Sequence, residues 1–143
     1  MLVKQISVFL ENKSGRLAEV TKILGDNNID ISALSIADTT DFGILRLIVN
    51  DPEKAEKVLK ENEFTVSSTS VIAIAVADKP GGLSKALSVL DGNSIGIEYM
   101  YAFVGKAADE ALVILRVEDA DKAVDTLTKS GINVLPSDKV YKL

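Results

Sequence analysis

Two segments of the chain carry residue types suited to holding a small charged molecule. They are Glu11-Asn12-Lys13-Ser14-Gly15-Arg16-Leu17 and Asp78-Lys79-Pro80-Gly81-Gly82-Leu83. In each, a side-chain oxygen comes first, from Asn12 or Asp78. A turn with glycine follows, and a helix then opens with free N–H groups. Those N–H groups and the helix dipole favour a carboxylate. Glycine lets a ligand approach the backbone closely, and the Asn or Asp oxygen can accept from an ammonium. The arrangement suits a zwitterion. A second reading stands beside it: Asn12 and Asp78 organise a turn, and Gly15 and Gly81 permit it.

A further candidate is Glu98-Tyr99-Met100-Tyr101-Ala102-Phe103. On a strand, Tyr99, Tyr101 and Phe103 share one face, and Glu98 and Met100 the other. The tyrosines could wall a pocket, with Glu98 as an ammonium partner. They could equally pack against Ala33, Ser35 and Ala37, the small residues at the matching positions of the first half.

Other chemistry is excluded or unsupported. The 143 residues include no cysteine and no histidine, so disulfides, thiolate or imidazole metal sites and Ser-His-Asp triads are impossible. No carboxylate pair is placed for acid–base work, so neither an enzyme nor a cofactor is expected. A net charge of −5 with scattered Lys and Arg argues against nucleic acid. The longest uncharged apolar run, Val71 to Ala77, is far shorter than the ~20 residues of a membrane helix. Met1 to Leu10 lacks the features of a signal peptide. A cytoplasmic protein is expected, without a membrane partner.

The elements that must position the loops form an internal repeat. With Ser14-Gly15-Arg16-Leu17 placed over Pro80-Gly81-Gly82-Leu83, Leu24 falls on Leu90, Asn27 on Asn93, Ile29 on Ile95 and Ile31 on Ile97. After a two-residue insertion near Val104 to Asp109, Val49 falls on Val117, Asp51 on Asp119, Ala55 on Ala123, Leu59 on Leu127 and Val66 on Val134. Each half reads as strand, helix, strand, strand, helix, strand. Leu17, Val20 and Leu24 give the first helix one apolar stripe. Asp51 and Asp119 sit where a second helix needs a cap, Pro52 follows in the first turn, and Gly131 ends the last helix. The boundaries are 1–70 and 71–143. Thr65 to Ala77 reads as one nearly continuous extended stretch, with no linker. This predicts an α+β fold of two ferredoxin-like βαββαβ units packed side by side, with eight antiparallel strands and four helices on one face.

The two loops, followed by Asn27-Asn28-Ile29-Asp30-Ile31 and Asn93-Ser94-Ile95-Gly96-Ile97, resemble ACT domains in tandem. The resemblance implies an allosteric regulatory fold that binds a free amino acid at an interface between two ACT units. It also implies ligand contacts at Asn12 and Asp78, and at Asp30 and Gly96 at the start of the second strand. Ser14 and Arg16 depart from the family's pattern. Gly96 has no side chain to offer, so the two possible sites are not equivalent. The implied site thus draws on Asn12, Lys13, Ser14, Gly15, Arg16, Leu17 and Asp30, and on Asp78, Pro80, Gly81, Gly82, Leu83, Glu98 and Tyr99. The alternative is a regulatory subunit of an amino-acid-metabolising enzyme, similar to the small subunit of acetolactate synthase, with no essential ligand. Ile44 to Val49 is apolar on both faces apart from Arg46, and Val71 to Ala77 and Ala111 to Leu115 have no polar face. Continuous runs imply that both faces are covered, which predicts a homodimer on the open sheet face.

Overall fold

The computed structural model describes residues 2–11, 15–38, 42–105 and 109–143. They fold as β1 (Val3–Glu11), α1 (Arg16–Asp26), β2 (Ile31–Asp38), β3 (Phe42–Val49), α2 (Pro52–Glu61), β4 (Thr65–Ala77), α3 (Gly82–Gly92), β5 (Ile97–Ala102), β6 (Glu110–Val117), α4 (Ala120–Lys129), β7 (Asn133–Val134) and α5 (Ser137–Tyr141). The expected eight strands are seven among the described residues. Thr65 to Ala77 is a single 13-residue strand, which serves as the last strand of one repeat and the first of the next. Two features go beyond the sequence reading: the closing strand β7 has only two residues, and the short helix α5 follows it.

The chain divides into two compact units, Lys4–Thr69 with Tyr141–Leu143, and Met1–Val3 with Ser70–Val140. In the first, the strand order is β2-β3-β1-β4, and the β1–β3 and β3–β2 pairings are antiparallel. Ile6, Val8, Leu10, Leu45, Leu47 and Val49 line one face. Val20 and Leu24 of α1 and Ala55, Val58 and Leu59 of α2 close over them to form one buried core. Period two in the strands and period 3.6 in the helices aim these residues at one another. In the second unit β5 pairs with β6, β6 with β4 and β4 with β7, all antiparallel. Ile72, Ile74, Val113 and Leu115 meet Ala86 and Leu90 of α3 and Ala123 and Leu127 of α4 in a second core.

The opposite faces differ. In the second unit Ala73, Ala75, Leu112 and Ile114 are buried there too, with Tyr99 and Tyr101 half-buried beside them. In the first unit Phe9 and Phe42 stand 44% and 53% exposed on that face, flanking Ile44.

The backbone repeats more faithfully than the side chains. Gly15 and Gly81 (φ 87° and 88°), Asn28 and Ser94 (58° and 57°), and Glu63 and Gly131 (68° and 79°) are left-handed at matched positions. β-Bulges interrupt β2 between Ile31 and Ala33 and β5 between Ile97 and Tyr99, again at matched positions.

Candidate functional site

The four long helices begin in two ways. At α2 and α4 an aspartate accepts a backbone N–H: Lys54 donates to Asp51 Oδ1 at 3.2 Å, and Lys122 to Asp119 Oδ1 at 3.1 Å. At α1 and α3 the N-cap positions are the left-handed Gly15 and Gly81, which carry no side chain to cap the helix. A helix leaves its first N–H groups without intrahelical partners, and a Ser, Thr, Asp or Asn cap ordinarily takes one of them. Each repeat thus caps its second helix with an aspartate side chain and begins its first behind a left-handed glycine.

In the second repeat that start opens on a cleft of about 390 Å³, at the small end of the ligand-pocket range of roughly 300–1,000 Å³. Lys79, Pro80, Gly81 and Gly82 form one wall with Lys85, and Gly131 to Asn133 form another. The loop is tight. Lys79 N–H donates to Ala77 O at 2.9 Å, Gly82 N–H to Lys79 O at 3.0 Å, and Asp78 N–H to Asp109 O at 2.9 Å. A Cβ at Gly82 would collide with the Ala77 carbonyl, so only glycine fits there.

The repeat places Arg16 over Gly82 and Phe64 over Ile132, and here the first repeat differs. The Arg16 guanidinium lies 4.6 Å from the centroid of the Phe64 ring. Its Nη1 donates to Glu19 Oε2 at 3.0 Å. The side chain thus lies across the corner that stays open beside Gly82. Asn12, Lys13 and Ser14 lie outside the described residues; Leu17 and Leu83 sit in the first turns of α1 and α3, exposed and half-buried.

The start of the second strand is built by the helix before it. Asn27 and Asn93 each turn a side-chain amide back onto the helix, donating to Ile23 O and Val89 O at 2.8 Å. The asparagines are therefore helix stops, and the next residue, Asn28 or Ser94, takes the left-handed turn. In the first repeat Asp30 N–H donates to Asn50 Oδ1 at 2.9 Å, and Asn50 N–H to Asp30 O at 3.2 Å. In the second, Glu118 N–H donates to Gly96 O at 3.1 Å, and a Cβ built on Gly96 would lie 2.7 Å from Glu118 Cδ. Glu98, the expected ammonium partner, is in an ion pair with Arg116 (Nε to Oε2, 3.3 Å). Tyr99 lies opposite Arg116 across the strand pair, half-buried.

Loop and strand start lie at opposite ends of each unit. Ala77 pairs with Glu110, and Ile97 with Val117, so the length of β6 separates them. Seven residues of strand span about 24 Å. The first unit repeats this, with Glu11 opposite Phe42 and Ile31 opposite Val49. A molecule of amino-acid size cannot touch both ends of one unit.

The whole chain, residues 1–143, matches the family model described as an ACT domain pair. The chain belongs to the ACT domain-pair family. It is similar to protein BT0572 from Bacteroides thetaiotaomicron, at 46% identity and a TM-score of 0.94, over 100% of this chain and 98% of that one. The ACT pair also shares its fold with the regulatory subunits of aspartate kinase from Thermus thermophilus and Thermus flavus. The first is 15% identical with a TM-score of 0.64, over 90% of this chain and 93% of that one. The second is 12% identical with a TM-score of 0.60, over 90% and 92%. No curated protein matches the sequence. No described helix is long and apolar enough to cross a membrane.

Four residues of these corners were not singled out from sequence: Asn50, Phe64, Lys85 and Glu118. The signal for Asn50 and Glu118 is in the repeat itself. Where Asp30 becomes Gly96, Asn50 becomes Glu118, an exchange of polar groups between neighbouring strand ends.

Proposed function

We propose that this ACT pair is a regulatory module that senses a free amino acid and has no catalytic role. The observation that carries the reading is the contrast between helix starts. The second helices are closed by aspartates. The first begin behind left-handed glycines that have no side chain to cap them, and one of them opens on a cleft flanked by Lys79 and Lys85. The amino acid's carboxylate lies on the N–H groups of Gly81 and Leu83, since that of Gly82 is taken by the Lys79 carbonyl, and the helix dipole and the two lysines favour negative charge there. Asp78 accepts from its ammonium. The remaining contact comes from the second-strand start of another ACT unit, because one unit cannot supply both ends. Arg16 disfavours the same pose at the first loop.

The output runs through a protein partner, an amino-acid-metabolising enzyme by the analogy of the aspartate kinase subunits. A homodimer is part of this reading. The exposed Phe9 and Phe42 flanking Ile44 on the first unit's open face are the surface it would bury.

The test is a set of thermal melts with each of the twenty free L-amino acids at millimolar concentration. A ligand at a hundred times its Kd adds roughly 2.7 kcal/mol to the folded state, a shift of several degrees for a domain of this size. At least one amino acid is expected to give it. A flat panel contradicts the proposal and leaves the ligand-free regulatory subunit as the better reading.

A further inference from the structure

We infer that the first corner is filled from within the chain: the Arg16–Glu19 pair stands where the second corner takes its ligand, so each chain binds one amino acid at its loops. The inference rests on the amino-acid-sensing reading above and adds the stoichiometry and the pair that sets it.

The two helix starts share a backbone and differ in charge. Gly15 and Gly81 are left-handed, at φ 87° and 88°. The repeat places Arg16 over Gly82 and Glu19 over Lys85. Glu19 gives α1 an acidic residue in its first turn, and α3 has none there. A carboxylate at a helix start complements the dipole. The first helix thus carries its own carboxylate, while the second has a lysine at the same position.

Arg16 holds this arrangement in place. Its Nη1 donates to Glu19 Oε2 at 3.0 Å, and the guanidinium lies 4.6 Å from the centroid of the Phe64 ring. Its Nε is buried, with no hydrogen-bond partner among the described residues. Water does not reach this nitrogen, so the side chain fills the corner rather than waving above it. A buried donor left unpaired is unfavourable, yet the first repeat keeps it there.

The second corner has neither member of the pair. Gly82 cannot carry a side chain against the Ala77 carbonyl. Lys85 is exposed and makes no ion pair among the described residues. The charged residues that line the cleft of about 390 Å³ are Lys79, Lys85 and Glu110, two cations to one anion. In the first repeat the anion is built in; in the second it comes from solution, as the carboxylate of the ligand.

The test is calorimetric titration of the full chain with each free L-amino acid that shifts its melt. The unaltered chain should take up one equivalent. Arg16→Gly with Glu19→Lys, which installs the second repeat's residues, should take up two. Adding Asp78→Ala to that double variant should weaken one equivalent about ten- to a hundredfold, the range for a lost hydrogen bond to a charged group, and leave the other within a few-fold. Should the double variant fail to fold, Arg16→Ser with Glu19→Gln removes both charges more gently, and two equivalents are again expected. Two equivalents on the unaltered chain, or one on a folded variant lacking the pair, would overturn the inference while leaving the sensing reading intact. If no amino acid binds the unaltered chain, the sensing reading falls and this inference falls with it.

Discussion

The first helices of the two ACT units begin on the same backbone turn and end in different surroundings. Each opens behind a left-handed glycine, Gly15 or Gly81. In the first unit Arg16 lies over Phe64, across the corner. In the second, position 82 must be glycine because the Ala77 carbonyl presses against it, and about 390 Å³ of cleft remains. Duplication preserved the left-handed turns and bulges, where a change would break the fold. It left the side chains around them free to diverge. One corner became crowded and the other stayed open, so a tandem pair need not be two equal receptors.

Substitutions at these corners break or sharpen the comparison. The largest effect is expected from Gly82→Ala, which forces the loop off the Ala77 carbonyl. It should destabilise by about 1–3 kcal/mol, the cost of overpacking, seen as a lower midpoint in urea with an unchanged slope. The matched position in the first repeat already carries arginine, so Arg16→Ala should cost the cation–π contact, roughly 0.5–1 kcal/mol, and the exposed pair with Glu19, which adds little. Between these lie the capped helices. Asp51→Ala and Asp119→Ala should each lose about 1 kcal/mol, with no change in ligand affinity. A binding defect in either would mean that the division between sealed and available helix starts is wrong.

The smallest effect belongs to Glu56, whose carboxyl is held below its ordinary value by the hydrogen bond from Lys60, with Lys4 adding to it. A lowered folded value means that the stabilisation is complete at neutral pH, above the unfolded value. It is lost as pH falls through the lowered folded value. Glu56→Gln should therefore flatten the acid limb of the stability curve slightly, by less than about 1 kcal/mol as for exposed pairs. Acid melts of the variant against wild type would show it.

Much of this was readable in the residues. The repeat followed from the recurrence of Leu24, Asn27 and Ile29 as Leu90, Asn93 and Ile95. The caps at Asp51 and Asp119 followed from type and position, because both signals are local. The unbroken β4 was visible as a run of β-formers without Gly or Pro, although the strand count drawn from it was one too high. What escaped was what depends on neighbours distant in sequence. Arg16 meets Phe64 and Glu98 meets Arg116 only after the strands pair. Glu118 reaches Gly96 only because β5 and β6 end side by side. What Asn27 and Asn93 do also escaped: their side chains turn back onto the preceding helix and stop it.

The central claim is that the open loop of the second ACT unit holds the amino acid. Calorimetric titration of the wild-type chain and of Asp78→Ala, with whichever amino acid shifts the melt, tests it most directly. Loss of one hydrogen bond to a charged group should weaken binding about ten- to a hundredfold. An Asp78→Ala chain that melts lower but binds the amino acid as tightly as wild type would contradict the claim, because Asp78 would then only shape the turn.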